Sequence, residues 1–202
     1  MLTEKEKKDL LKLVRNTLQS YLATQEVPAL CDLTGALLKP AGAFVTLKAV
    51  RRAHGLGGGR DADPDDRNEL RGCIGCFDTS DSLAKTVQRM AVAAASEDPR
   101  FYPVQLSELP LISIEISVLS PREPLKDLKS VEVGRHGLCV AKDFRRGVLL
   151  PQVPVEHGWS REEFLSHTCM KAGLPADAWE KGGLKWESFT AQIIGEKGDA
   201  CH

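Results

Sequence analysis

With 202 residues, 42% of them apolar, the chain is long enough to bury a sizeable core and is expected to form one domain over residues 1–202. A formal net charge of −1 and an aromatic content of 5% supply neither a global field toward polyanions nor a stacking platform for bases, so neither a nucleic-acid nor a membrane partner is expected. No apolar run reaches the roughly eighteen residues of a spanning helix, Met1–Glu6 lacks the apolar region of a signal peptide, and six cysteines without an export signal point to reduced thiols and a cytoplasmic location.

Residues 3–24 are predicted to form a helix. Thr3-x-x-Glu6 has the form of a capping box, and Leu10, Leu11, Val14, Leu18, Tyr21 and Leu22 recur at spacings that place them on one face. Val27-Pro28 ends this element, and after a loop through Gly35 and Pro40 the stretch Gly42–Val50 reads as a strand. Ala53–Glu69, with glycines at 57–59 and aspartates at 61, 63, 65 and 66, reads as a long, mobile, acidic hairpin loop. Its Gly57-x-Gly59-x-x-Ala62 matches a dinucleotide fingerprint in form only, because no helix begins at the glycines, and its aspartates lack calcium-loop spacing. No cofactor is therefore expected.

Leu70-Arg71-Gly72-Cys73-Ile74-Gly75 is the chemically densest stretch. Gly72 and Gly75 permit close backbone approach or positive φ, and Cys73 sits between them on an apolar run that reads as a strand or strand end. The Arg71 fork suits a carboxylate or phosphate and can act on a neighbouring thiol. These residues fit a small anion or acyl site, and equally a tight strand crossing with a buried structural cysteine. Cys73-x-x-Cys76 has the form of a dithiol pair or half a zinc site, but helix signals begin only at Asp78 to Ser82 and the remaining cysteines lack ligand spacing. No metal site is expected.

A helix should run from the Ser82 region to about Glu97, with Leu83, Val87, Met90, Val92, Ala93 and Ala94 inward and Ala91–Ala95 allowing close packing. Asp98-Pro99-Arg100-Phe101-Tyr102-Pro103 breaks it, leaving Arg100 either at the surface or reaching an acidic side chain. Leu111–Leu119 alternates as a strand. Ile112, Ile114, Ile116 and Val118 share one face; Ser113, Glu115 and Ser117 form a polar row on the other, which can line a cleft with Glu115 as partner to Arg71 or Arg100.

Val131–Ala141 reads as two short strands around a turn holding Arg135 and His136, and Gly147–Val153 as another strand. His136 is either a candidate base or an inert turn residue. Ser160-x-x-Glu163 should cap a helix that stops at Gly173, with a short helical turn from Pro175 to Trp179. Leu184–Ile194 alternates like a strand, with Trp186, Phe189 and Ile193 assigned to the core.

Taken together, Gly42–Leu47, Leu70–Gly75, Asp98–Phe101, Ile114–Ser120, Gly134–Leu138, Leu149–Val153 and Lys171–Pro175 resemble the AMMECR domain family, the A component of the AmmeMemoRadiSam grouping, over nearly the whole chain. The LRGCIG hexamer corresponds to its signature. The resemblance implies an α+β fold, a mixed and largely antiparallel sheet flanked by helices, with a larger and a smaller lobe and a cleft near Leu70–Gly75. It also implies a pathway shared with Memo-like and radical-SAM proteins, while the family's own activity is not established. The Ala53–Glu69 insert is longer than the turn usual there, and Cys76 lies outside the signature.

Two functions follow as expectations. In the first, the cleft takes an unidentified small ligand, Cys73 is the nucleophile of a thiol-dependent enzyme, and His136 is its base. Arg71, Gly72, Gly75 and Arg100 bind the ligand, and Glu115 orients Arg71. In the second, the same surface is a non-catalytic adaptor with Arg71 and exposed aromatics as anchors and Cys73 as buried filler.

Overall fold

A computed structural model describes residues 2–31, 33–50 and 68–196. The chain divides into two compact units, one of Met1–Val118 with Gln192–His202 and one of Leu119–Ala191. The expected acidic loop falls almost wholly on residues 51–67, outside the described residues, as does the terminal Cys201-His202 pair.

The first unit opens with helix α1 (Glu4–Thr24), whose Thr3/Glu6 capping box is formed. Leu10, Val14 and Leu18 are fully buried, each contributing about 1.5–3 kcal/mol relative to exposure. Strands β1 (Ala43–Val50) and β2 (Asn68–Cys76) pair antiparallel, and β1 also pairs antiparallel with β3 (Ile112–Leu119). Helix α2 (Leu83–Ser96) lies between β2 and β3 in sequence and is capped by Ser82. The sheet order is β2-β1-β3-β8, where β8 is Ala191–Gly195. Helix α2 packs on β1 and β2 with α1 against it, so Val45, Leu47, Ile114 and Ile116 face one apolar core. Thr46, Lys48, Ser113 and Glu115 occupy the other face, as the period of two requires.

The second unit has a sheet of order β4-β7-β5-β6: β4 (Glu123–Pro124), β5 (Gly137–Lys142), β6 (Arg145–Leu149) and β7 (Lys185–Phe189). Helices α3 (Gln152–Glu156), α4 (Arg161–Lys171, with its Ser160/Glu163 capping box) and α5 (Ala178–Lys181) complete it. Leu138, Val140, Phe164, Leu165 and Trp186 form its core. With helices and antiparallel strand pairs in both units, the fold is α+β.

Three local expectations are corrected. Val131–Val133 is not a strand: Val131 donates to the Leu128 carbonyl, and Arg135 and His136 both donate to that of Glu132, so these backbone groups are satisfied inside turns. The strand expected at Gly147–Val153 begins earlier and ends earlier. A two-residue turn with Asp143 at φ 54° pairs Lys142 with Arg145, drawing two charged residues into β6, while Gln152 and Val153 enter a helix. Leu184–Ile194 breaks at Thr190 into β7 and β8, which belong to different sheets. Alternation restarts at the break, so Ile193 is exposed and Ile194 is buried.

Candidate functional site

The Leu70–Gly75 hexamer lies inside β2, an edge strand of its sheet. Its glycines serve close approach. A Cβ on Gly72 would stand 2.1 Å from the Ala94 carbonyl oxygen of α2, and one on Gly75 would stand 2.2 Å from the Phe44 ring. Gly72 thus lets the strand meet the alanine-rich helix, and Gly75 lets Phe44 cover the strand from the other side.

Arg71 occupies a β-bulge. Leu47 is paired with Gly72 and Lys48 with Leu70, which leaves Arg71 as the extra residue and re-aims its side chain off the ladder. Its Nε and Nη2 donate to Glu108 at 2.9 and 3.0 Å, its Nη1 to the Tyr102 carbonyl at 2.7 Å, and Nη2 also to that of Pro103 at 3.4 Å. The fork holds the Glu108 carboxyl below its ordinary range and fixes residues 102–108 beside β2.

Asp98 and Arg100 clamp the backbone of Cys73. The Cys73 N–H donates to Asp98 Oδ2 at 2.9 Å, and Arg100 Nη2 donates to the Cys73 carbonyl at 3.3 Å. Arg100 also grips the carboxylate through Nε at 2.9 Å and Nη2 at 2.7 Å. The pair bonds the outer edge of β2 where a further strand would. The Arg100 guanidinium, followed by the Cys73 and Arg100 N–H groups, holds the buried Asp98 carboxyl well below the usual carboxylate range despite the opposing effect of burial.

The Cys73 side chain is half-buried and lies on the polar face, where Thr46 Oγ1 donates to its Sγ at 3.3 Å. Register places Cys73, Thr46 and Glu115 side by side across β2, β1 and β3. Beside them Lys48 Nζ is 3.1 Å from Glu115 Oε2. Beyond the strand, a depression of about 370 Å³ is lined by residues that include Leu70, Arg71, Arg100, Phe101 and Tyr102. The Arg100 guanidinium lies 5.4 Å from the Phe101 ring centre, and Tyr102 is 90% exposed.

The structure therefore brings Arg71, Gly72, Cys73, Gly75 and Arg100 onto one strand and its adjoining turn, with Glu115 on the same sheet. One expected pairing is corrected. Glu115 bonds Lys48, while Arg71 takes Glu108 and Arg100 takes Asp98. Glu115 stands two strand spacings from β2, roughly 9–10 Å, while the bulge aims Arg71 toward residues 102–108. His136 belongs to the second unit, where its Nδ1 accepts from the Glu132 N–H at 3.0 Å. Cys73 and Cys76, three apart on a strand, point to opposite faces, and Cys76 packs toward the core, so they form no dithiol pair. Among the described residues no His, Cys, Asp and Glu group has metal-holding geometry. Thr46, Lys48 and Glu108 were not identified from sequence. Thr46 had a faint signal as a hydroxyl within an apolar strand; Glu108, 37 residues from its partner, had none.

Comparison with known proteins gives one consistent result. The family model described as AMMECR1 matches residues 11–194. A protein of Thermofilum pendens is 42% identical over 209 residues, covering 94% of this chain and 91% of that one. Protein MJ0810 of Methanocaldococcus jannaschii is 47% identical over 134 residues, covering 63% of this chain and 67% of its own. The crystal structure of an uncharacterized protein, PH0010 of Pyrococcus horikoshii, superposes with a TM-score of 0.81 at 37% identity, covering 97% of this chain and 94% of that one. Among the described residues no helix is long and apolar enough to cross a membrane.

Proposed function

The chain belongs to the AMMECR1 family, and from that premise we propose that it carries a ligand site on the polar face of its first sheet, with Cys73 as nucleophile or transient covalent carrier. The observation that carries this reading is the setting of the thiol. Cys73 is half-buried, faces away from the core and accepts a hydroxyl hydrogen bond from Thr46, while its backbone is held on both sides by Asp98 and Arg100. A structural filler would resemble Cys169, which is fully buried. A reactive thiol must be both reachable and fixed in position.

In this reading Arg100, with 54% of its side chain exposed, presents the cation to the ligand. Arg71 holds the wall that carries Tyr102. Gly72 and Gly75 set the strand against its neighbours, and Glu115, opposite Thr46 in register and paired with Lys48, is the charged group beside the thiol's hydroxyl partner. The reaction belongs in a reducing, cytoplasmic setting shared with Memo-like and radical-SAM proteins.

Alkylation mapped by mass spectrometry across about pH 6 to 9 tests the thiol. Cys73 should label in the native protein, whereas Cys139, whose thiol burial pushes up to about 11, should stay silent. Cys73→Ser should keep the native melting temperature yet abolish turnover when mixed with the partner proteins. A Cys73 that never labels, or a fully active serine variant, overturns the proposal.

A second reading, the adaptor, is favoured by one observation: Tyr102 is 90% exposed while its carbonyl is held by Arg71. Exposed aromatics serve as interface anchors. Tyr102→Ala should then weaken capture of a purified partner at least tenfold with Cys73 labelling unchanged; undiminished capture refutes this reading.

A further inference from the structure

We propose that one end of the second unit's sheet is a docking surface for an anionic lipid bilayer, with Phe144 as the inserting side chain. Phe144 stands at the apex of the β5–β6 hairpin and is 93% exposed, the most exposed large apolar residue among those described. The turn beneath it is rigid in register: Lys142 pairs with Arg145 to close the hairpin, and Ala141 pairs with Lys185 of β7. Three exposed cations, Lys142, Arg145 and Lys185, therefore end three adjoining strands. Arg145 Nη1 donates to the Gly173 carbonyl at 2.9 Å, which sets the C-terminal end of α4 alongside, with exposed Lys171 and the half-exposed Met170. Asp143 lies within this group, and one residue further from the tip Arg146 stands 3.6 Å from Glu187 of β7, a pair that is internally balanced in charge.

The occupant follows from the shape and from the kind of cation. Phe144 projects from a convex tip, so whatever covers it must yield to it or supply a cavity. Three of the four cations are lysines, strongly hydrated point charges on flexible stems. Lysine is depleted at protein interfaces, where fixed geometry is needed, but suffices against a fluid layer of anionic headgroups. A nucleic-acid strand is less well matched, because successive bases stack on successive aromatics and the tip offers one ring. The near-neutral total charge does not oppose this, since surface fields act within about 8 Å at physiological salt.

The full chain should co-sediment with vesicles of phosphatidylcholine containing phosphatidylserine and not with phosphatidylcholine alone, and the binding should fall steeply with salt. Phe144→Ala should weaken it about thirtyfold, and Lys142→Glu or Lys185→Glu by at least fivefold each. These positions are exposed, and matched thermal melts would confirm intact folding. Phe144→Trp should retain binding and show a blue-shifted emission quenched by brominated lipid, with the parent protein's emission subtracted. Equal binding to neutral vesicles, an undiminished Phe144→Ala, or Phe144-dependent binding to oligothymidylate or polyglutamate in place of vesicles overturns the proposal.

Discussion

Replacing Gly72 by alanine tests whether close approach to α2 is what β2 requires. The added Cβ would lie 2.1 Å from the Ala94 carbonyl oxygen and 3.1 Å from its carbonyl carbon, both backbone atoms of a helix packed in the core. A carbon and an oxygen in ordinary contact are more than an ångström farther apart, and neither strand nor helix can yield by rotating a side chain. The φ of Gly72 is not in the left-handed region, so alanine would otherwise gain roughly 0.4–1 kcal/mol by restricting the unfolded chain. Overpacking of this kind costs about 1–3 kcal/mol or more, which outweighs that gain, and a net loss of about 2 kcal/mol is expected. In a chain of this size that corresponds to a fall of roughly 4–8 °C in Tm, readable by calorimetry. Gly75→Ala supplies the control. Its clash is with the Phe44 ring, a side chain, so Phe44→Ala should rescue Gly75→Ala in part. An Ala94 side-chain substitution should not rescue Gly72→Ala. A Gly72→Ala protein melting within about 1 °C of the parent would refute the argument.

Other outcomes follow from the same geometry. Asp98 has a depressed folded-state pKa, so its contribution to stability is present above its unfolded value of about 3.9 and is lost as pH falls through the folded value. Asp98→Asn should therefore lower stability near neutrality and flatten the acid limb of a pH–Tm profile; an unchanged limb contradicts the clamp. Arg71→Lys cannot reproduce a bidentate contact to Glu108 plus two carbonyls, and should cost about 1–2 kcal/mol and raise proteolysis at residues 102–108. Ser160→Ala removes the capping box of α4 and should cost about 1 kcal/mol by urea unfolding.

Sequence by itself determined what depends on neighbours a few residues apart. The capping boxes at Thr3 and Ser160, the inward stripe of α1, the alternation of Ile112–Ile116 and the helix stop at Gly173 all arise from local hydrogen bonding and from fixed helix and strand periods, whereas Ser117, expected in the outward polar row, is buried. The need for glycine at 72 and 75 was also legible, because any close contact excludes a Cβ, although which partner came close was not. Tertiary structure alone decided the partners. The bulge that sends Arg71 to Glu108, the register that sets Thr46 beside Cys73, and the break at Thr190 that buries Ile194 and exposes Ile193 depend on which strands pair and in what phase. A one-residue change of phase moves a side chain to the other face of a sheet, and no local pattern in Leu70–Gly75 records the phase of the strand opposite.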